Sequence, residues 1–222
     1  MSWDPVWEEI FRSREWGKYP PEELVRFVAR RYYSVPNRSS VRILELGCGP
    51  GGGPSWFLAR EGFAVSGIDG SPTAIDQARA RFREEKLQGE FIVGGLDRVP
   101  WADSTFDCAV DVACLQCNTE TETAKILDEM RRVLKPGGRH LSITARAGSW
   151  GDGAGRRLDA TTFSSVSEGP FANIGTMRFA TRESLAVLYA GFQEVAIEYE
   201  TRSFQNGTRQ IANWIVTCRK AP

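Results

Sequence analysis

Apolar positions along the chain change their period several times, and each change marks an element. Behind Pro20-Pro21-Glu22, the residues Leu24, Phe27, Val28 and Tyr32 recur at three- and four-residue spacing, which predicts a helix. Ahead of it Asp4 reads as the cap of another helix, with Pro5 in its first turn. These two helices make residues 1–39 an N-terminal helical cap. The polar link Asn37-Arg38-Ser39-Ser40 leads into a main unit, residues 40–222, where short apolar runs alternate with helical stretches. VRILELG, FAVSGID, EFIVGG, FDCAVDVAC and RHLSITA read as five strands. Between them lie a helix opened by Gly53-Pro54 and one capped by Ser71 before Pro72. A further helix runs from about Thr121 to Leu134 and stops at Lys135-Pro136-Gly137-Gly138. Residues 147–180, rich in Gly, Ser and Thr, read as irregular, and Thr181 caps a helix ending at Gly191. VAIEYETRSF and RQIANWIVTCR flank the turn signal Asn206-Gly207 and predict an antiparallel hairpin. The sum is an α/β domain with a doubly wound seven-stranded sheet, mostly parallel, its C-terminal hairpin antiparallel.

Composition narrows the function classes. Lys+Arg 28 balance Asp+Glu 28, which argues against a nucleic-acid partner, since phosphate neutralisation needs a basic excess. No stretch approaches the roughly 20 apolar residues of a membrane span, and the N-terminus lacks the apolar core of a signal peptide. The 5 cysteines, odd in number and irregularly spaced, suit a reducing, cytoplasmic setting. Cys114-x-x-Cys117 has no second pair or histidine cluster beside it, so no metal site is expected. A chain of 222 residues fits one domain, as a monomer or homodimer.

The chemistry concentrates at ELGCGPGGG. Gly47, Gly49 and Gly51 follow a strand and precede a helix, so backbone N–H groups and the positive end of the helix converge on one point. Asp69 ends the next strand beside this loop, where a carboxylate can accept both hydroxyls of a ribose. A nucleoside ligand is implied. Gly47 to Gly52 also satisfies G-x-G-x-x-G, so a nicotinamide-type oxidoreductase stands as an alternative, as does a glycine turn without ligand.

Further motifs separate these readings. Glu45 lies two places before the glycine run. GIDGS carries Asp69. VGGLDRVPWADSTFDCAVD sets Pro100-Trp101 before a Phe-Asp, EMRRVLKPGGRHLSI follows, and FATRESLAVLYAGFQEV precedes the closing hairpin. In this order the chain resembles the class I S-adenosylmethionine-dependent methyltransferases over residues 40 to 222. The resemblance implies a Rossmann-like fold and S-adenosyl-L-methionine as cofactor. Glu45, Gly47, Cys48, Gly49, Pro50 and Gly51 would surround its methionine part, with Asp69 on the ribose. Gly70 and Ser71 would lie near the adenine, Gly95 and Leu96 on its other edge, and Asp111 with Val112 at the methionyl end. Where the family often carries an Asp this chain has Gly95, so Asp97 or backbone would serve the adenine instead. Trp16, Lys18 and Tyr19 would close over the cofactor from the N-terminal helices.

Methyl transfer is an in-line displacement that sometimes needs a base. His140 is the sole histidine, but it starts a strand whose far end holds the site, so a structural role is expected. Asp111 and Asp152 remain as candidate bases, unless the nucleophile needs none. Arg14, Lys18, Gln116, Cys117, Arg146, Trp150 and Arg156 are the candidate acceptor contacts. Their arginines, with Arg157, point to an acidic small molecule such as a sugar, a nucleotide sugar or a carboxylic acid, methylated on O, N or carboxylate. A third reading is a binding protein that keeps the fold and has lost turnover.

Overall fold

The computed structural model describes residues 3–222. The central sheet contains β1 (Arg42–Leu46), β2 (Ala64–Asp69), β3 (Glu90–Val93), β4 (Phe106–Val112) and β5 (Leu134–Ala145), with β9 (Gln193–Phe204) and β10 (Arg209–Arg219). Its order is β3-β2-β1-β4-β5-β10-β9. The first five strands are parallel, while β10 runs antiparallel to β5 and forms a hairpin with β9. The winding direction reverses between β1 and β4. Connections leave these two strands on opposite sides, which opens a crevice at their carboxyl ends.

Helices cover both faces: α1 (Val6–Ser13), α2 (Glu22–Tyr32), α3 (Gly53–Arg60), α4 (Pro72–Glu84), α5 (Glu120–Val133) and α6 (Arg182–Leu188). That is why β1 buries four of its five positions. Its alternation splits the core. Leu44 and Leu46 pack with Ile126, Met130 and Leu185 from α5 and α6, whereas Ile43 packs with Leu24, Val28 and Leu58 from α2 and α3. Ser71 caps α4, accepting from the Ala74 N–H at 3.0 Å, and Thr119 with Glu122 forms a reciprocal capping box on α5.

Three local readings of the sequence change. Pro5 holds the N-cap position of α1, and Asp4 acts just outside it, accepting from Val6 N at 3.1 Å and Thr176 N at 3.1 Å. Lys135-Pro136-Gly137-Gly138 does not separate α5 from a later strand. The strand starts at Leu134 and absorbs the segment through a register shift opposite Phe106 and Cys108. The chain's end holds it there: Gly137 N donates to Lys220 O at 3.1 Å, and Lys220 N to Gly138 O at 2.8 Å. Residues 147–180 contain a three-stranded antiparallel sheet, β6 (Arg156–Arg157), β7 (Thr162–Ser164) and β8 (Thr176–Arg178). It stands on a small core of Ala145, Phe163, Val166, Met177 and Phe179. Strands of two or three residues are too short to show a period, so they read as loop. Among the described residues no helix is long and apolar enough to cross a membrane.

Candidate functional site

The loop between β1 and α3 is shaped by steric necessity. Gly47 has φ +63°, and a Cβ there would lie 2.1 Å from Cys114 Sγ. Gly51 has φ +62°, with Ala78 Cβ at 2.8 Å from the same virtual atom. No side chain fits at either position. Asp69 then fastens the loop: its Oδ2 accepts from Gly49 N and its Oδ1 from Ser71 N, both at 2.9 Å. Each oxygen keeps a further lone pair, and the residue lines the cleft. Burial pushes its carboxyl above the ordinary range, against the lowering effect of those N–H donors. Glu45 secures the other side. Its Oε2 accepts from Ser55 N at 2.9 Å and from Ser55 Oγ, tying β1 to the first turn of α3, and burial raises its carboxyl well above normal.

The N-terminal segment roofs this loop. Glu8 of α1 accepts from Ser71 Oγ, and from Thr73 Oγ1 at 2.5 Å, so α1 sits on the start of α4. Gln77 Nε2 donates to Phe11 O at 2.9 Å, Arg81 to Trp16 O at 2.8 Å, and Lys18 pairs with Glu85. Trp7, Phe11 and Trp16 cluster with ring centroids 5.4–6.3 Å apart. Between this roof and the sheet lies a cleft of about 430 Å³, within the range of small-molecule sites.

The third wall is the turn after β4. Ala113 takes a left-handed conformation, φ +63°, and the chain enters a single turn of 3-10 helix at Leu115–Cys117. Asp111 fixes it. One oxygen accepts from Cys114 N and Leu115 N, both at 2.9 Å, and the other from Ser142 Oγ at 2.6 Å. Fully buried, its carboxyl is pushed up to about 6 by desolvation. Arg178 Nη2 and Thr123 Oγ1 both donate to Leu115 O at 3.4 Å. The turn is braced from below and behind.

The structure brings together most of the sequence-derived cofactor positions. Glu45, Gly47, Cys48, Gly49, Asp69 and Gly70 line the cleft, as do Gly95, Leu96 and Val112, with Trp16 and Tyr19 from the roof. Pro50, Gly51 and Ser71 shape the loop and cap behind the wall, and Asp97 is exposed and off it. Of the acceptor candidates, Arg14, Gln116 and Cys117 line the cleft. The others do not. Lys18 faces Glu85 on the outside of the roof. Arg146 lays its guanidinium over Tyr199 and Trp214, 4.7 and 5.0 Å from their ring centroids. Trp150 donates its backbone N–H to Gln210 O at 2.8 Å. The cause is shared: beyond β5 the chain follows β10, Arg146 N bonding Ala212 O at 2.9 Å, and so veers toward the hairpin. Arg156 and Arg157 then fall on the exposed strand β6. The candidate bases also lie off the wall. Asp111 is consumed by the turn, and Asp152 is exposed, accepting from Gly148 N at 2.8 Å. His140 is fully buried, with Nδ1 3.1 Å from Ala109 O and its ring stacked on Tyr189.

Sequence reasoning missed Trp3, Trp7 and Phe11 and, from the small sheet, Pro170, Phe171 and Ile174. Trp7 and Phe11 stand four apart on one helical face, a legible stripe whose partner was not. A larger open groove of about 670 Å³ runs between α5 and α6, lined by Leu127 and Phe192, away from every group above.

The sheet is doubly wound, with a glycine loop at its switch point, Asp69 ending β2 and Asp111 one residue before the end of β4. In sequence the chain is similar to methyltransferases over part of its length. Residues 43–138 match the family model described as "Methyltransferase domain". The fatty-acid O-methyltransferase of Mycolicibacterium smegmatis is 34% identical over 130 residues, covering 56% of this chain and 46% of the relative. The norajmaline N-methyltransferase of Rauvolfia serpentina is 32% identical over 120 residues, covering 52% and 39%. The chain thus spans less than half the length of these curated relatives. In fold it is similar to a solved S-adenosylmethionine-dependent methyltransferase from Methanosarcina mazei, with TM-score 0.67, 24% identity, and coverage of 81% and 92%.

Proposed function

We propose that this protein transfers a methyl group from S-adenosylmethionine to a carboxylate oxygen of a small acceptor with an apolar body. The observation that carries the cofactor reading is the enclosed convergence of Glu45, the glycine loop and Asp69. The spare lone pairs of Asp69 suit the ribose hydroxyls, and the amides opening α3 suit a carboxylate. Held by Glu45, the glycine loop and Asp69, the sulfonium would supply an activated methyl carbon to the acceptor oxygen and would itself depart as a neutral thioether. Every remaining task falls to the protein: hold the two reactants in line and keep water out.

The choice of a carboxylate comes from the acceptor half of the cleft. No histidine lines it, and burial pushes the thiols of Cys114 and Cys117 far above neutrality. Asp4, the carboxylate on this side, accepts one backbone N–H on each oxygen, which holds it to Val6 and Thr176. This wall favours a nucleophile that needs no base, and a carboxylate, already ionised at neutral pH, is one. Trp3, Phe171 and Ile174 offer an apolar body more than they offer a sugar, and Arg14 supplies positive charge at the rim. Relatives are named for both O- and N-methylation, so the reacting atom is argued from the site, with the fatty-acid enzyme as one precedent in kind.

The test is transfer of labelled methyl from S-adenosylmethionine to a panel of apolar acids, phenols and amines. Label in an alkali-labile ester, formed from acids alone, is the expected result. Label in amines or phenols but not in acids overturns the carboxylate reading, and protein that never binds the cofactor overturns both.

A further inference from the structure

Two carboxamides on the turn after β4 are oriented by the backbone, and their free ends differ. Gln116 and Asn118 are 4% and 6% exposed, yet both line the cleft. The Ala145 N–H donates to Gln116 Oε1 at 2.7 Å. A backbone N–H only donates, so the oxygen must face it and the amide nitrogen is left over. Asn118 is held the opposite way, its Nδ2 donating to Cys114 O at 3.1 Å, which leaves Oδ1 over. Within the described residues neither Gln116 Nε2 nor Asn118 Oδ1 has a hydrogen-bond partner, and neither is sealed off from the cleft. Open to the cleft and fixed in orientation, a donor and an acceptor two residues apart on its wall suit a ligand carrying the complement of both.

The bracing of the turn makes this pair a rigid template. Asp111 holds the backbone on one side of Gln116, and Ala145, at the end of β5, holds its side chain on the other. Neither carboxamide turns over without breaking its hydrogen bond to the backbone.

Resting on the carboxylate reading above, we infer that the acceptor is an apolar-bodied hydroxy acid. Gln116 Nε2 donates to its non-attacking carboxylate oxygen, and Asn118 Oδ1 accepts from a hydroxyl on a neighbouring carbon. The donor at Gln116 fixes which carboxylate oxygen faces the methyl. The acceptor at Asn118 rewards the hydroxyl and repels a second carboxylate. Trp3, Phe171 and Ile174 take the hydrocarbon.

The experiment is calorimetry on the full chain, first with the demethylated cofactor product, then, on the saturated protein, with phenyllactate and hydroxydecanoate. Phenylpropionate, decanoate, phenylpropanol and decanol serve as controls lacking the hydroxyl or the carboxylate. At least one hydroxy acid should bind more tightly than both its controls, by several-fold over the deoxy acid and more over the alcohol. Gln116→Glu keeps the Ala145 contact and replaces the donor with a carboxylate, so it should weaken the acids on the order of 10-fold or more and spare the alcohol. Asn118→Leu should erase the advantage of the hydroxyl and leave the deoxy acid unchanged. Heat from the cofactor product with no preference for hydroxy acids, or a preference that survives both variants, overturns this inference alone. A folded protein silent toward the cofactor product removes the underlying reading as well.

Discussion

Asp69 and Asp111 are both buried, both end strands beside the glycine loop, and do different work. Asp69 accepts one hydrogen bond per oxygen, from Gly49 N of the loop and from Ser71 N, and keeps capacity for a ligand, while Asp111 accepts two from the turn after β4 and a third from Ser142 Oγ on β5. Asp69→Asn sets an amide N–H2 against a backbone N–H, and should weaken S-adenosylmethionine binding by more than 10-fold in calorimetry, with a stability loss of about 1–3 kcal/mol. Gly47→Ala must move Cys114 and strain its own backbone, so cofactor binding should be lost and the melting temperature should fall by several degrees. His140 gives a pH signature. Burial holds its imidazole near 4 against an ordinary 6.5, so the unfolded chain takes up the proton first as pH falls. Stability contributed by the neutral ring is full above 6.5 and is lost toward pH 4, to the extent of about 3 kcal/mol. Asp111, raised from 3.8 to about 6, acts in the opposite sense, since the folded state takes up its proton first. The difference between the parent and His140→Phe isolates the imidazole, and that difference should shrink as pH falls from 6.5 to 4 in urea unfolding. Glu45 and the glycines were legible because motif and backbone geometry coincide. The role of Asp111 was not, because a strand-end carboxylate looks the same in sequence whether it faces a ligand or a turn.

At the scale of elements, the roof depends on its docking. The eight-residue α1 is too short to be a stable helix alone. It is held by Glu8 on Ser71 and Thr73, by Gln77 on Phe11 O, and by Asp4 on Thr176. Glu8→Ala should therefore weaken cofactor binding about 10-fold while changing global stability by about 1 kcal/mol or less, because the sheet core does not involve α1. Limited proteolysis checks the cause: cleavage within residues 5–20 should speed up in the variant and slow again when cofactor is added. The amphipathic face of α1 was readable in sequence, but its docking partner lies more than sixty residues away. The small sheet of β6, β7 and β8 was hidden for another reason. Its order comes from tertiary packing of Phe163, Met177 and Phe179, not from any local period. That error carried Arg146, Trp150 and Arg156 into the mouth, whereas the pairing of β10 with β5 pulls the chain away.

At the scale of the whole molecule, the alternation of apolar runs and capped helices was enough to place the five parallel strands, because strands buried on both faces cannot hide their composition, while the Asn206-Gly207 turn placed the antiparallel pair. The crevice position then follows from topology: reversing the winding between β1 and β4 sets the glycine loop, Asp69 and the Leu115–Cys117 turn around one space. The N-terminal roof and the small sheet complete the enclosure and bring its aromatic lining. Isothermal titration of the folded protein with S-adenosylmethionine probes that convergence most directly. The expected result is a single saturable site, displaced by the demethylated product and weakened more than 10-fold by Asp69→Asn. A cooperative, native protein that takes up neither compound, or that binds them equally well with Asp69 replaced, would contradict it.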